Sequence, residues 1–278
     1  MNFQGKTVVI ASIATDRGSE KTHTHAAYGI HIGAACAIDF AKHGAHVVAI
    51  DNDEIALLSL KNEIEKTGGL VETIHADPSQ TESLEKAVQI FSKNHHVAHV
   101  LINAHHDTEL SNIVNTSNEA WARVIAFDLL GPVYATKAFL PFLKQSAQAA
   151  IVNMGSIDGI NGNPQIPAYS TAKGGLIPLT HLMADEFAPF GIRVNYVARG
   201  MMTPVDAKAI NPMFVPLLEH TPISRPAYPH EVTAAVRFLC STDASYITGI
   251  VLPVDGGRLG ITPGTRFQSA VQSSKEKS

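Results

Sequence analysis

Short runs rich in β-branched residues alternate along the chain with segments whose apolar residues recur at helical spacing. Strands are read at 6–11 (KTVVIA), 45–51 (AHVVAID), 71–77 (VETIHAD), 97–104 (VAHVLINA), 149–156 (AAIVNMGS), 192–198 (IRVNYVA) and 249–257 (GIVLPVDGG). Helical patterns lie between them at 29–44, 53–69, 79–95, 118–144, 168–191 and 229–241, with Ser79 placed to cap the third. A strand that leaves through a helix re-enters the same sheet parallel to its predecessor, by a right-handed crossover. The alternation therefore predicts an α/β protein with a parallel sheet of seven strands covered by helices on both faces. No linker interrupts the pattern, so one doubly wound domain is expected over 1–260, followed by a polar tail over 261–278.

Composition narrows the partners. The chain has 278 residues, 45% hydrophobic and 17% charged, which suits one large domain with a substantial core. A net charge of −4 offers no basic footprint for nucleic acid. No uninterrupted apolar run approaches the ~18 residues of a membrane span, so no membrane partner is expected. The two cysteines, Cys36 and Cys240, sit in apolar helical patterns and read as buried thiols. With no basic stretch and long apolar run in MNFQGKTVVIA to suggest a signal peptide, a reducing cytoplasmic setting is expected.

The chemistry concentrates in VNMGSIDGINGNPQIPAYSTAKGGL. Tyr169 and Lys173 are four residues apart on a helical pattern and so share one face. An ammonium beside a phenol favours the phenolate and brings tyrosine toward useful acid/base behaviour near neutral pH. Ser156 ends the preceding strand, where its hydroxyl can donate to a substrate carbonyl. Any helix can carry a tyrosine and a lysine at this spacing, so the pair alone is weak.

The whole segment is more specific. Ser156 precedes Tyr169 by thirteen residues and Tyr169 opens YxxxK, a pattern that resembles the short-chain dehydrogenase/reductase family. The resemblance runs from about Gly5 to Leu259 through GKTVVIA, GAHVVAIDND, HADPSQTESLEKAV, LINAH and YITGIVLPVDGG. It implies a Rossmann-type fold, a nicotinamide cofactor and interconversion of a ketone and a secondary alcohol. Tyr169 would pass a proton to or from the substrate oxygen, Ser156 would orient the carbonyl, and Lys173 would hold the ribose and lower the tyrosine pKa. Asp51 ends the second strand, where a carboxylate accepts from ribose hydroxyls and repels a 2′-phosphate, which favours NAD(H) over NADP(H); a solvated helix cap is the other reading of the DND sequence. Asp77 with Pro78 would meet adenine, and Asn103 with Ala104 would brace the sheet beside the cofactor. Ser12, Gly29, His31 and Ile32 would line the pyrophosphate turn, and Gly200, Met202 and Thr203 would lie by the carboxamide. The resemblance also implies a homotetramer or homodimer, through the two long helices after the fourth and fifth strands.

The family's pattern is broken in several places. In HAAYGIHIG the first and middle glycines of TGxxxGxG fall on Ala27 and His31, and the insertion 12–26 precedes them. Arg17, Lys21 and the neighbouring histidines could meet phosphates there, and a helix N-terminus near Gly29 would favour an anion. The family's relay asparagine falls on Asp128, which could hold the relay water as an acceptor while its charge acts on Lys173. The glycine of NNAG falls on His105, followed by His106, and the proline of PG is Arg199. A divergent redox enzyme, a non-redox enzyme using Tyr169 for proton transfer with cofactor binding altered or lost, and a silent scaffold are the competing readings; retention of Ser156, Tyr169 and Lys173 argues against the scaffold.

Fourteen histidines raise the question of a metal, but runs such as His95/His96/His99 lack carboxylate or cysteine partners at ligand spacing, so none is expected. The segment 201–226 would cover a small-molecule carbonyl or alcohol substrate. Met201, Met213 and Phe214 would supply an apolar wall, and His105, His106 and Asp158 polar contacts.

Overall fold

The structure, a computed structural model, describes residues 1–13, 31–203 and 215–262. The residues at Gly29, Met213 and Phe214, most of the 12–26 insertion, the middle of the 201–226 segment and the tail beyond Thr262 lie outside the described residues. Seven parallel strands form one sheet in the order β3-β2-β1-β4-β5-β6-β7. They are β1 (Thr7–Ala11), β2 (His46–Asp51), β3 (Leu70–His75), β4 (Val100–Asn103), β5 (Ala150–Ser156), β6 (Arg193–Arg199) and β7 (Val251–Val254). The order reverses between β1 and β4, the switch point at which a crevice opens at the carboxyl ends of strands.

The strands are apolar on both faces because both are covered. Val8, Ile10, Val47, Ala49, Ile102 and Val152 pack beneath α1 (Ile32–Lys42), α2 (Glu54–Lys66) and α9 (Pro229–Cys240). The alternate residues Val9, Val48, Ile50, Leu101 and Ile151 face Phe91 of α3 (Thr81–Asn94), Phe139 of α5 (Gly131–Leu143) and Met183 of α7 (Pro167–Phe187). Cys36 and Cys240 are free and buried, and burial pushes both thiols above their ordinary pKa.

Two local expectations are corrected. Ser79 does not cap α3: the cap position is Gln80, and Ser79 instead donates its amide (2.9 Å) and hydroxyl (2.7 Å) to the Asp77 carboxylate. The pattern over 118–144 is not one uniform helix. It runs as α4 (Asn118–Ile125), a π-helical turn at Ala126–Leu130, and α5. By length and composition Asn118–Leu143 could cross a membrane, yet Phe127, Ala135, Phe139 and Leu143 are buried in the protein, as in a core helix. The remaining helices among the described residues are the short α6 (Asp158–Asn161) and α8 (Val215–Glu219).

Candidate active site

The serine, tyrosine and lysine do meet. Ser156 is the last residue of β5, and its backbone is held by Tyr196, whose hydroxyl accepts from the Ser156 amide at 3.0 Å. That hydroxyl also lies 3.1 Å from the carbonyls of Ser156 and Lys173, to either of which it can donate, so one phenol ties β5 to α7. Gly155 makes room for it: a Cβ there would come within 1.7 Å of the Tyr196 ring. Nothing in the strand pattern of NYVA signals this bracing role.

α7 then carries Tyr169 and Lys173 on one buried face. Tyr169 is 3% exposed, and its phenol lies close enough to Ser156 for that side chain to favour the phenolate slightly. Asp158 donates its amide to the Ser156 Oγ at 3.1 Å, and its Oδ2 lies within 3.3 Å of the same hydroxyl, so Asp158 fixes that hydroxyl. The Lys173 ammonium donates to the carbonyls of His105 and of Met154 (3.1 Å) and lies 3.7 Å from Asp128 Oδ1.

These contacts correct the electrostatic expectation. The Tyr169 phenol is pushed up to about 12, chiefly by burial. The cation that opposes this is Arg199, while Asp128 and Asp158 reinforce it. Lys173, 5.5 Å from the ring centroid, spends its donors on two carbonyls and a carboxylate instead of the phenol. Asp128 acts on Lys173 as its charge implies. Its carboxylate, fully buried in the π turn, accepts the Asp107 amide at 3.1 and 3.2 Å. Burial raises its pKa against the pull of Lys173, to about 6. Burial likewise lowers the Lys173 pKa.

Of the two histidines placed near the substrate, only one presents its ring. His106 stands edge-on to Tyr169 with ring centroids 5.1 Å apart, and Arg199 Nη2 donates to its Nδ1 at 3.4 Å. The His105 ring is 1% exposed, packed against Phe127 at 5.0 Å and over Gly131, so His105 reaches the site through its carbonyl. Arg199, at the end of β6, has no carboxylate within ion-pair distance among the described residues. Sequence reasoning saw its substitution but gave it no role. Met201 lines a cavity of about 130 Å³ with Thr221, Ile223, Arg225, Ala227 and Asp255.

The residues expected around a dinucleotide frame the same edge of the sheet. Ser12 follows β1 at φ 73°, and a Cβ on Gly33 would come within 2.1 Å of its carbonyl, so backbone meets backbone here as a pyrophosphate turn requires. α1 begins at Ile32, later than the Gly29 region, and its cap is His31, whose Nδ1 accepts the Gly33 amide at 3.1 Å. Asp51 is buried, not a solvated cap, and accepts the amides of Ile13 (2.7 Å) and Asp53 (3.0 Å); Asp53 is the residue that caps α2. Asn103 donates to Asn153 (2.8 Å) and Thr136 (3.3 Å), bracing β4 on β5, while its buried Oδ1 has no partner among the described residues. Ala104 and Pro78 are buried, and Asp77 is half-buried. Gly200 bonds to Val254, Met202 bridges to Ala227, and Thr203 donates to Ala227 at 3.0 Å. These residues fit a dinucleotide once the His31 ring leaves the Gly33 amide.

Comparison with known proteins agrees with the geometry. Residues 26–258 match a family model described as enoyl-(acyl carrier protein) reductase. The chain is 34% identical over 235 residues to 3-oxoacyl-[acyl-carrier-protein] reductase FabG of Thermotoga maritima, covering 84% of this chain and 95% of that one. It is 33% identical over 220 residues to cyclopentanol dehydrogenase of Comamonas, covering 78% and 88%. A crystal structure of a short-chain dehydrogenase/reductase from Burkholderia xenovorans superposes with a TM-score of 0.81 at 25% identity, covering 94% of this chain and 98% of that one. With the sheet order, the serine at the end of β5 and the YxxxK face of α7 in place, the chain belongs to the short-chain dehydrogenase/reductase family of oxidoreductases.

Proposed function

We propose that this protein is an NAD(H)-dependent oxidoreductase that interconverts a ketone and a secondary alcohol at Ser156, Tyr169 and Lys173. The observation that carries the reading is the buried Tyr169 phenol of α7 facing the buried Ser156 at the carboxyl end of β5, with Lys173 on the same helix face. The relatives named a 3-oxoacyl reductase and a cyclopentanol dehydrogenase support a carbonyl/alcohol substrate.

In the reductive direction Ser156 turns its hydroxyl proton from Asp158 Oδ2 to the substrate oxygen, and Tyr169 delivers its phenolic proton to that oxygen as it becomes an alcohol. A phenol held near 12 stays protonated at neutral pH and is therefore poised as the acid. In the oxidative direction the phenol must first lose its proton, and Arg199 is the cation that favours this. A nicotinamide dinucleotide, when bound, supplies or accepts the hydride. Ser12, His31, Ile32, Asp51, Asp77, Asn103 and Thr203 would hold it, and the fixed negative charge of Asp51 supports NAD(H) over NADP(H). The free thiols suit a reducing, cytoplasmic setting. The exposed Leu130, at the end of the π turn before α5, and Leu182, on α7, suit a homotetramer or homodimer.

A second reading, proton-transfer chemistry without redox, is favoured by the His31 imidazole on the Gly33 amide and by Arg199 and His106 crowding Tyr169. The deciding experiment is turnover of a panel of cyclic ketones and 3-oxoacyl thioesters with NADH by wild type and Tyr169→Phe. Reduction by wild type that falls by about a hundredfold or more in the variant supports the redox reading. Reduction that survives the substitution removes Tyr169 as the acid.

A further inference from the structure

A cluster unrelated to the catalytic hydroxyls sits at the opposite end of the strands. His46 opens β2, whereas the site frames the carboxyl ends at Asp51 and Ser156. In the β2–β3 register His46 pairs with Leu70 and Val48 with Glu72. Since alternate residues share a face, the His46 and Glu72 side chains emerge on the same side of the sheet. That side is covered by α3, and the residue that caps its C-terminus is His95. The His95 ring stacks on Phe91 at 4.9 Å and meets the His46 ring edge-on at 4.6 Å. His95 Nε2 lies 3.1 Å from Glu72 Oε2, and Asn94 donates to the same oxygen at 3.2 Å. One donor atom from each of His46, Glu72 and His95 lies within 4.8 Å of the others.

We propose that His46, Glu72 and His95 form a binding site for a divalent transition-metal ion, zinc foremost, that clamps β3 and the end of α3 onto β2. Two imidazoles and one carboxylate are a donor set zinc takes, with a fourth position left for water. Bonds of about 2.1 Å set tetrahedral donors about 3.4 Å apart. The His95–Glu72 pair already has that spacing. The donor atoms of the cluster lie within 4.8 Å of one another, so coordination requires the partly exposed His46 ring to move inward by no more than the difference. The single carboxylate leaves a bound dication only partly neutralised, and Asn94 orients that carboxylate as an outer partner. Because β3 is an edge strand, an ion held only by the folded chain stabilises the part of the sheet with neighbours on one side alone.

The test is calorimetric titration of the full, tag-free chain with zinc chloride, with thermal melts in parallel. Wild type is expected to take up one zinc per chain and to melt at a higher temperature with zinc. His46→Gln and Glu72→Gln, both at partly exposed positions, are each expected to weaken binding by about tenfold or more and to lose the shift in melting. His96→Gln, at an exposed neighbour outside the cluster, is expected to behave as wild type. Cobalt(II) is expected to give the intense visible bands of a tetrahedral site in wild type and to lose them in both cluster variants. Absence of a saturable equivalent, or equal binding by wild type and the two cluster variants, would overturn the site. Should one variant fail to fold by circular dichroism, the other decides.

Discussion

At the scale of single residues, the site differs from its family pattern chiefly in where its charges stand. Lys173 is tied to Asp128 and two carbonyls, so Arg199 becomes the cation acting on Tyr169. Alcohol oxidation needs the phenolate, and Arg199 favours it. Removing that charge in Arg199→Met is expected to move the alkaline rise of the oxidation rate to higher pH, while reduction at neutral pH keeps its phenolic acid. A pH profile of oxidation that does not move would show that Arg199 does not act on the phenol. His31 makes an independent prediction. Its ring holds the Gly33 amide that a pyrophosphate would seek. His31→Gly is expected to tighten NADH binding by about tenfold, since one neutral hydrogen bond contributes about 1 kcal/mol and the bulk goes with it. Unchanged or weaker binding, read by titrating nicotinamide fluorescence, would show that the ring does not gate the turn.

At the scale of elements, the π turn explains Asp128. Its extra residue per turn carries the carboxylate inward against Asp107 and Lys173, and Gly131 at its end admits the His105 ring. Burial holds this carboxyl at about 6 in the fold, against about 4 for an unfolded aspartate. A raised acid pKa contributes stability below the unfolded value, and that contribution is lost as pH rises through the folded value. Asp128→Asn cannot ionise, and its amide oxygen can still accept the Asp107 amide. Its stability relative to wild type is therefore expected to improve between about pH 4 and pH 7, checked by urea melts at both ends. A difference that does not change with pH would contradict a buried, ionising Asp128. The strands and the Tyr169–Lys173 face were legible in the sequence because β-branched runs and four-residue helical spacing are local. The π turn was not, since 118–144 reads as one apolar helix and the irregularity comes from what packs on it. Ser79 was misread because a serine before a helix satisfies the cap pattern, while the nearer Asp77 carboxylate takes its hydroxyl.

At the scale of the molecule, the sheet brings together residues far apart in sequence. The common direction of the parallel strands carries Asp51, Asn103 and Ser156 to their carboxyl ends and leaves His46, Glu72 and His95 near their amino ends. The first group could be read from family motifs. The second has no short motif, because its members come from two neighbouring strands and the end of a helix, and only their register unites them. Assembly belongs to this scale as well. Leu182 is 67% exposed on α7. Light scattering is expected to give the mass of a tetramer or dimer, and a monomer at micromolar concentration would contradict the proposed interface. The central claim, a redox enzyme whose altered glycine turn still accepts NAD(H), is tested most directly by titrating the purified protein with NADH and NADPH and following nicotinamide fluorescence. Saturable NADH binding, with NADPH weaker, is the expected result. No binding of either would contradict it and leave cofactor-free proton transfer at Tyr169 as the chemistry of the site.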